Sequence, residues 1–596
     1  MNFSRTHSDK PLRIMIIDDT PGGSGQTIHS SVWSAAITAA MLRNDTMHGV
    51  TISFEFSGSV DGPSAGGVSC LAILSAMDGL PLPADFAMTG TILPDGTIGV
   101  VGGVPEKMRA AAKAGIKRIF IPAFLRIVKN GKGEDIDLNR LAEELKIELH
   151  RVENIEEAYA ILHGKPYRVA GYVNIRDMTK LPRKIEDILL PTYKDLFRRV
   201  SEKLKAHPEL ARRHITTGYE FSPLLAQSYY HEGKLLTATL QIFRSWQTWQ
   251  AWEKSEASLE IFYKQKNPDW SAIKYLKEYH FRKLLTAFGK TVDSYVRTQF
   301  ETHRKQKREY IIKNYPNGEN LRGYFPFADG LSEITAQLEP IDFKPKLHGE
   351  IRALIMNRPD AETIGVSSIK ELEGFWLNDV SILQLLYLAT ANGDAFSDFL
   401  GRLGKALPPL RANKRAPEVE RLFYAAACAS DFVAGQNFTS TLRADADRGT
   451  KRTFKSETMR NPLLGYMIAM HDYAQQCHAM LQPGAPEAPT YISYHTQASL
   501  KAQVYSFALS SVVLVMYGAD SSSDFIPHLL HNARNTAIRN INDCVKAGIP
   551  CLPAICDFEL AETVSYGNKG NYSTLALYWR ASLYAKALLM SFKQEK

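Results

Sequence analysis

The sequence contains 596 residues, of which 45% are hydrophobic and 22% charged, the balance of a globular protein with more than one hydrophobic core. Its net charge of +8 is small for this length, so the composition does not favour nucleic acid as a partner. No run of about 18 apolar residues predicts a membrane span, and residues 1–13 lack the apolar segment of a secretory signal. The six cysteines include no CxxC pair, which favours reduced thiols. We therefore expect a cytoplasmic protein that uses no metal and no cofactor.

The first 165 residues alternate between short β-type runs and helical runs. The β-type runs are 13–18, 49–56 and 116–123, and the helical runs are 30–42, 65–79, 105–115 and 154–162. Strands that alternate with helices predict an α/β domain. Asp95-Gly96, flanked by apolar residues, predicts a β-hairpin within it.

The pattern becomes helical from about residue 180 onward. Runs at 222–246, 524–548 and 573–592 have the apolar spacing of helices, with Ser222 and Gly548 as a predicted N-cap and C-terminal stop. A Pro/Gly-rich stretch at 314–330 divides this region. The predicted organisation is an α/β domain followed by a large all-α region, with these boundaries: domain 1–165, linker 166–180, first helical lobe 181–325 and second helical lobe 326–596.

A loop of small residues surrounds one serine, Ser64, in the string SVDGPSAG at 59–66. A phosphate cradle would need GxxxxGK[ST], which occurs nowhere in the chain. The Gly-rich loop at 20–27 has Gln26 where that motif requires lysine. Residues 62–66 match G-x-S-x-G formally, but a hydrolase elbow needs a strand directly before it, and residues 57–61 have the composition of a loop.

A lysine base is the remaining partner for this serine. Gly102 and Gly103 precede a helix with Pro105 in its first turn, which places Lys107 near the positive end of the helix dipole. That position opposes protonation of the amine, and a neutral amine can take the proton of Ser64. The hydroxyl of Thr89 could hold the amine in place.

Three ordered strings resemble the proteolytic domain of Lon proteases, the Ser-Lys dyad peptidases. They are DGPSAG (61–66), AMTG (87–90) and GGVPEK (102–107), the last followed by AAAKAGIKRIFIPA (110–123). Thr89 and Lys107 lie 25 and 43 residues after Ser64, as in that family, and the resemblance covers about residues 10–165. It implies that Ser64 is the nucleophile, Lys107 the general base and Thr89 the residue that orients the lysine. It also implies an oxyanion hole built from the backbone amides of Asp61, Gly62 and Ser64.

The sequence departs from the family at three points. Thr91 stands where the family usually has Glu, Pro105 stands where it usually has Lys, and no ATPase module with a Walker motif accompanies the domain. The resemblance therefore implies an ATP-independent Lon-like serine endopeptidase that cuts unstructured segments or segments presented by a dedicated partner of the helical region. Lon proteolytic domains form hexamers, so the resemblance is compatible with a homo-oligomer, and a monomer stays the alternative. Two alternatives are a non-catalytic scaffold and a protease gated by a sensor in the helical region, which itself resembles no family.

Overall fold

The computed structural model describes the α/β region almost completely and the helical region in parts. The described residues are 1–6, 10–21, 23–129, 134–168, 173–207, 223–243, 245–246, 249–250, isolated residues between 399 and 407, 410–412, 416–447, isolated residues between 496 and 506, 522–564 and 571–594. Two predictions lie outside these ranges: the division between two helical lobes at 314–330, and the N-cap Ser222.

A first, three-stranded sheet forms one part of the α/β region. Its strands are β1 (Asn2–Arg5), β2 (Arg13–Asp18) and β3 (Val50–Phe56), in the order β1-β3-β2. β3 runs antiparallel to β1 and parallel to β2. The strands follow the apolar alternation of the sequence, because Ile14 and Ile16 pair with the buried Ile52 and Phe54.

A second sheet is fully parallel and carries the segments around the candidate site. Its strands are β4 (Phe86–Met88), β7 (Arg118–Pro122) and β10 (Glu148–Val152), in the order β10-β7-β4. Two short antiparallel pairs accompany it: β5 (Thr91–Ile92) with β6 (Ile98–Gly99), and β8 (Ile127–Lys129) with β9 (Asp135–Asp137). The β5–β6 pair is the hairpin that Asp95-Gly96 predicts, with Gly96 in the left-handed region at φ 86°.

Five helices complete the α/β region, and four of them match the predicted runs. They are α1 (Gln26–Arg43), α2 (Gly66–Met77), α3 (Val104–Lys113), α4 (Leu138–Leu145) and α5 (Ile155–His163). The helix α4 was not predicted, although Asp137 caps it by accepting from the amides of Asn139 and Arg140. The mixed α/β fold of this region is confirmed.

The remaining described elements are almost entirely helical, as the sequence predicts. They are α6 (Ile175–Met178), α7 (Arg183–Ala206), α8 (Leu224–His231), α9 (Ala416–Asp447), α10 (Ser522–Lys546), α11 (Leu552–Val564) and α12 (Asn571–Ser591), with a short antiparallel pair of β11 (Leu410–Ala412) and β12 (Phe592–Gln594). The prediction of one continuous helix at 222–246 was wrong. Gly233, at φ 80°, ends α8, and the chain becomes helical again at 235–243.

The hydrophobic core does not stop at residue 165. One cluster of buried residues joins the two sheets and their helices to α9, α10, α11 and α12. A second cluster joins α7, α8 and residues 235–243 to Leu552 and Cys556 of α11. Met178, inside the predicted linker 166–180, is itself buried in the first cluster. The domain boundaries stay a prediction, but the helical region and the α/β region pack as neighbours.

No helix within the described ranges is both long enough and apolar enough to cross a membrane. Cys70, Cys544, Cys551 and Cys556, all among the described residues, are buried free thiols.

One buried lysine lies at the contact between the two regions. Lys586 of α12 is 3% exposed and donates to Oδ1 of Asn44, the residue that ends α1, over 2.7 Å. Burial lowers the pKa of Lys586 to about 7, with the cations of Arg168 and Arg539 acting in the same direction. The unfolded chain, whose lysine pKa is ordinary, binds the extra proton between these two values.

We therefore predict that stability rises with pH above 7, because the unfolded state then holds the proton that the folded state has lost. Lys586→Met should remove this contribution, which is at most about 1.4 kcal/mol per pH unit. Urea unfolding of the wild type, Lys586→Met and the exposed control Lys113→Met between pH 7 and 10 measures it. Equal pH slopes in the wild type and Lys586→Met would contradict the prediction.

Candidate active site

Ser64 lies in a single 3₁₀ turn, Pro63–Ala65, that leads directly into α2. The turn is half-buried. The glycines that follow it allow a close approach to the segment 88–92: a Cβ at Gly66 would lie 3.0 Å from the backbone nitrogen of Ile92, and one at Gly67 would lie 2.9 Å from Cε of Met88. The glycines after Ser64 therefore allow the turn to pack closely against the segment 88–92.

Backbone hydrogen bonds fix the turn to that segment. The amide of Gly90 donates to the carbonyl of Ser64 over 3.0 Å, and the amide of Gly67 donates to the carbonyl of Gly90 over 2.9 Å. Thr89, 5% exposed, precedes Gly90, and its own amide donates to the carbonyl of Phe120 in β7 over 3.0 Å. Ser64 and Thr89 are thus held on adjoining backbone segments, one of which is tied to the parallel sheet.

Lys107 reaches the same place from the first turn of α3. Gly103 is at φ 66° before the helix, a conformation that a side chain would strain, and its carbonyl accepts from the amide of Lys107 over 3.0 Å. The Nζ atom of Lys107 donates to Oγ1 of Thr89 over 3.2 Å. Burial lowers the pKa of Lys107 below its ordinary value. The direction is the one expected from the sequence, and the cause found is desolvation.

The hydroxyl of Ser64 has no hydrogen-bonding partner among the described residues, and Lys107 donates to Thr89. The structure thus brings Thr89 and Lys107 into direct contact and places the backbone of Ser64 against the residue after Thr89. A direct Ser64–Lys107 hydrogen bond stays a prediction. Such bonds are often long in an enzyme without substrate and tighten when substrate binds.

Asp61 anchors the loop that carries Ser64. Its Oδ1 atom accepts from the amides of Thr27 and Ile28 at the start of α1, over 3.1 and 3.3 Å, and from the amide of Gly62 over 2.8 Å. A carboxylate at a helix N-terminus pairs with both free amides and the helix dipole. Gly62, at φ 118°, adopts a backbone conformation open only to glycine. Because its amide is engaged by Asp61, it would have to leave that carboxylate to join an oxyanion hole.

The Gly-rich loop at 20–27, which the sequence excluded as a phosphate cradle, has a structural role beside this site. The carbonyl of Gly23 accepts from the amide of Val60 over 2.6 Å, and the amide of Gly25 donates to the carbonyl of Val60 over 2.8 Å. A Cβ at Gly25 would overlap the Asp61 carboxyl group, so only glycine admits Asp61 to the helix start. No local pattern in the sequence predicts this role, since the two loops lie more than 30 residues apart.

Within the described ranges, no group of three or more His, Cys, Asp or Glu side chains is placed to hold a metal ion. The polar groups that converge near Ser64 are a hydroxyl, an amine of lowered pKa and backbone amides. This set suits nucleophilic acyl transfer.

Comparison with known proteins agrees with this arrangement. Residues 26–163 match the family model of the Lon protease (S16) C-terminal proteolytic domain. The Lon protease of Haemophilus influenzae is 32% identical over 176 residues, which are 27% of this chain and 20% of that protein. The Lon protease of Erwinia amylovora is 34% identical over 159 residues, or 24% and 19% of the two chains. The chain therefore carries a Lon-type proteolytic domain.

The similarity covers a part of each chain. The chain spans about a fifth of the length of the curated relatives above. The Lon protease of Clostridioides difficile is 40% identical over 99 residues, or 16% of this chain and 11% of that protein. Residues 164–596 lie outside the match to the family model.

We predict that Asp61→Ala lowers the free energy of unfolding by about 1–2 kcal/mol, the usual cost of losing a helix cap. Asp61→Asn should cost less, because the amide oxygen can still accept from Thr27 and Ile28. Urea unfolding of both variants checks this. Equal losses in the two variants would show that the hydrogen bonds to α1 do not stabilise the loop.

Proposed function

We propose that this chain is a serine endopeptidase of Lon type that works by a Ser64–Lys107 dyad. The observation that carries the proposal is the half-buried amine of Lys107, held by Thr89 beside the backbone of Ser64. The match of residues 26–163 to a proteolytic domain supports it.

The chemistry follows from the properties of these groups. Neutral Lys107 accepts the hydroxyl proton of Ser64 while the oxygen attacks the scissile carbonyl, and the resulting ammonium then protonates the leaving amine. The acyl-enzyme ester is hydrolysed by water, which Lys107 deprotonates in turn. A lysine of ordinary pKa would be almost fully protonated at pH 7, so the desolvation of Lys107 is what permits its role as a base.

Backbone amides around Ser64 are the proposed oxyanion donors. We assign this role to the amides of Asp61 and Ser64, and to the amide of Gly62 once it is released from the Asp61 carboxylate. Donors of this kind contribute roughly 3–4 kcal/mol of transition-state stabilisation each. The Asp61 carboxylate would hold the loop in place by its remaining bonds to α1.

The proposed substrates are unstructured protein segments, or segments presented by a partner that binds the helical region. A chain that uses no nucleotide has no means of pulling folded proteins apart. We propose a cytoplasmic enzyme that acts without ATP. A non-catalytic scaffold remains the alternative that the following experiment excludes or supports.

We expect Ser64→Ala and Lys107→Arg each to abolish cleavage of an unstructured substrate such as casein. The first removes the nucleophile, and the second replaces the base with a guanidinium that stays protonated. Ser59→Ala, an exposed serine of the same loop, and Lys113→Arg, an exposed lysine of the same helix, are matched controls that should keep full activity. Cleavage is followed by gel and mass spectrometry. An active Lys107→Arg variant would contradict the dyad, and an inactive wild type would favour the scaffold.

We further predict that cleavage is indifferent to ATP, because the sequence contains no GxxxxGK[ST] loop to bind its phosphates. Initial rates with and without Mg-ATP at a fixed free magnesium concentration measure this, with a non-hydrolysable analogue as control. Stimulation of the purified chain by ATP, but not by the analogue, would overturn the prediction.

A further inference from the structure

One hairpin lies in the chain between Thr89, which accepts from the amine of the proposed base, and Lys107, which supplies that amine. We define the active-site hairpin as residues 91–99, that is β5, the turn 93–97 and β6. Thr89 lies two residues before the hairpin begins. Lys107 lies in the helix that starts five residues after the hairpin ends, and its amine bonds to Thr89. The hairpin is therefore the segment of chain that joins the two partners of that bond.

The tip of the active-site hairpin is bonded to the helical region. Asp95 is 5% exposed, and its Oδ1 atom accepts from the amide of Thr97 over 3.0 Å. Its Oδ2 atom accepts from Nε1 of Trp579, in α12, over 2.9 Å. Trp579 is fully buried. Two residues 484 positions apart thus share a buried hydrogen bond at the turn that lies in the chain between Thr89 and Lys107.

The hydrogen bond from Trp579 satisfies a buried carboxyl group. Burial raises the pKa of Asp95, whereas the hydrogen bonds from Trp579 and Thr97 lower it. A buried carboxylate that loses such a donor must move toward water, take up a proton or remain unsatisfied, and the last of these is costly. Because Asp95 lies in the turn 93–97, loss of the donor would be relieved by a shift of the hairpin tip.

Neighbouring contacts hold the base of the active-site hairpin from the same side. The carbonyl of Glu153 accepts from the amide of Ile98 over 2.9 Å, and the carboxylate of Glu153 lies 3.2 Å from Nδ1 of His528 in α10. Arg539, also in α10, pairs with Glu156 over 2.5 Å. Two helices of the helical region therefore contact the hairpin or the strand end to which it is bonded.

We propose that Trp579 is a positioning residue for the proposed protease: through Asp95 it holds the active-site hairpin so that Thr89 and the amine of Lys107 remain in contact and shielded from water. The catalytic consequence of this role rests on the proposed function. It gives the helical region a direct role in the assembly of the site, separate from any recruitment of substrate.

The consequence is a change at Lys107. A displaced hairpin admits water to the amine, so the desolvation that lowers its pKa is reduced. Glu106 and Arg109, the charged neighbours on the same helix, are exposed, and within the described ranges Glu106 forms no ion pair with Lys107. The hydroxyl of Thr89 is uncharged. Hydration of the amine is therefore the variable that Trp579 controls.

The test uses the full chain with Trp579→Phe, which keeps an aromatic ring and removes the N–H donor. Tyr578→Phe is the matched control, since it removes a partly buried hydrogen bond to Glu562 from the preceding position of the same helix. Asp95→Asn is a second, milder variant, because its one amide oxygen must serve the two donors that the carboxylate now satisfies. Thermal unfolding establishes that each variant is folded.

The first readout is the titration of Lys107 itself. Competitive acetylation with trace acetic anhydride across pH 6–11, quantified by mass spectrometry of the peptide that contains Lys107, gives the midpoint of amine reactivity. We expect the midpoint to rise by about one pH unit in Trp579→Phe, by less in Asp95→Asn and not in Tyr578→Phe. The second readout is casein cleavage, in which kcat at pH 7 should fall by about tenfold with little change in KM and recover at higher pH.

An unchanged Lys107 midpoint in both Trp579→Phe and Asp95→Asn overturns the proposal, as does an equal rise in Tyr578→Phe, which would indicate general loosening. The titration of Lys107 needs no protease activity. If the wild type shows no Ser64-dependent cleavage, the proposed function fails while the titration still decides the positioning role of Trp579.

Discussion

The pair of backbone hydrogen bonds between residue 90 and the turn of Ser64 is the constraint on which the site depends. The amide and the carbonyl of Gly90 are both engaged, the first by the carbonyl of Ser64 and the second by the amide of Gly67. A side chain at Gly66 would crowd the two segments, because its Cβ would lie 3.0 Å from the backbone nitrogen of Ile92. The minimal bulk around Ser64 therefore has a structural cause that is independent of substrate access.

The other contacts of the site involve the same two backbone segments. The segment bonded to Ser64 also contains Thr89, whose amide is tied to the parallel sheet and whose hydroxyl accepts from Lys107. The opposite end of the Ser64 loop is held by Asp61 on the start of α1. The fold thus holds Ser64, the Thr89 hydroxyl and the desolvated amine of Lys107 through the start of α1 on one side and the parallel sheet on the other.

The sequence could predict most of the local elements, because these depend on short-range signals, and it singled out Ser64, Thr89 and Lys107, whose catalytic roles stay predictions. Strand alternation, the Asp95-Gly96 turn and Pro105 in the first turn of α3 are legible in a few residues each. The carboxylate cap from Asp61 to Thr27 joins residues 34 apart, and the bond from Trp579 to Asp95 joins residues 484 apart. No local pattern encodes such pairs. The interruption of the predicted helix 222–246 depends on one glycine, Gly233, whose left-handed conformation competes with its helical neighbours.

Reaction of a serine-directed phosphonate with the full chain tests the central claim most directly, since it needs no knowledge of the substrate. Intact mass and peptide mapping identify the site of the adduct, and its rate of formation across pH reports the base. The account predicts one adduct at Ser64 that Lys107→Arg slows severely at every pH, while Lys113→Arg reacts as the wild type does. No adduct at Ser64, or an adduct that forms equally fast in Lys107→Arg, would contradict it.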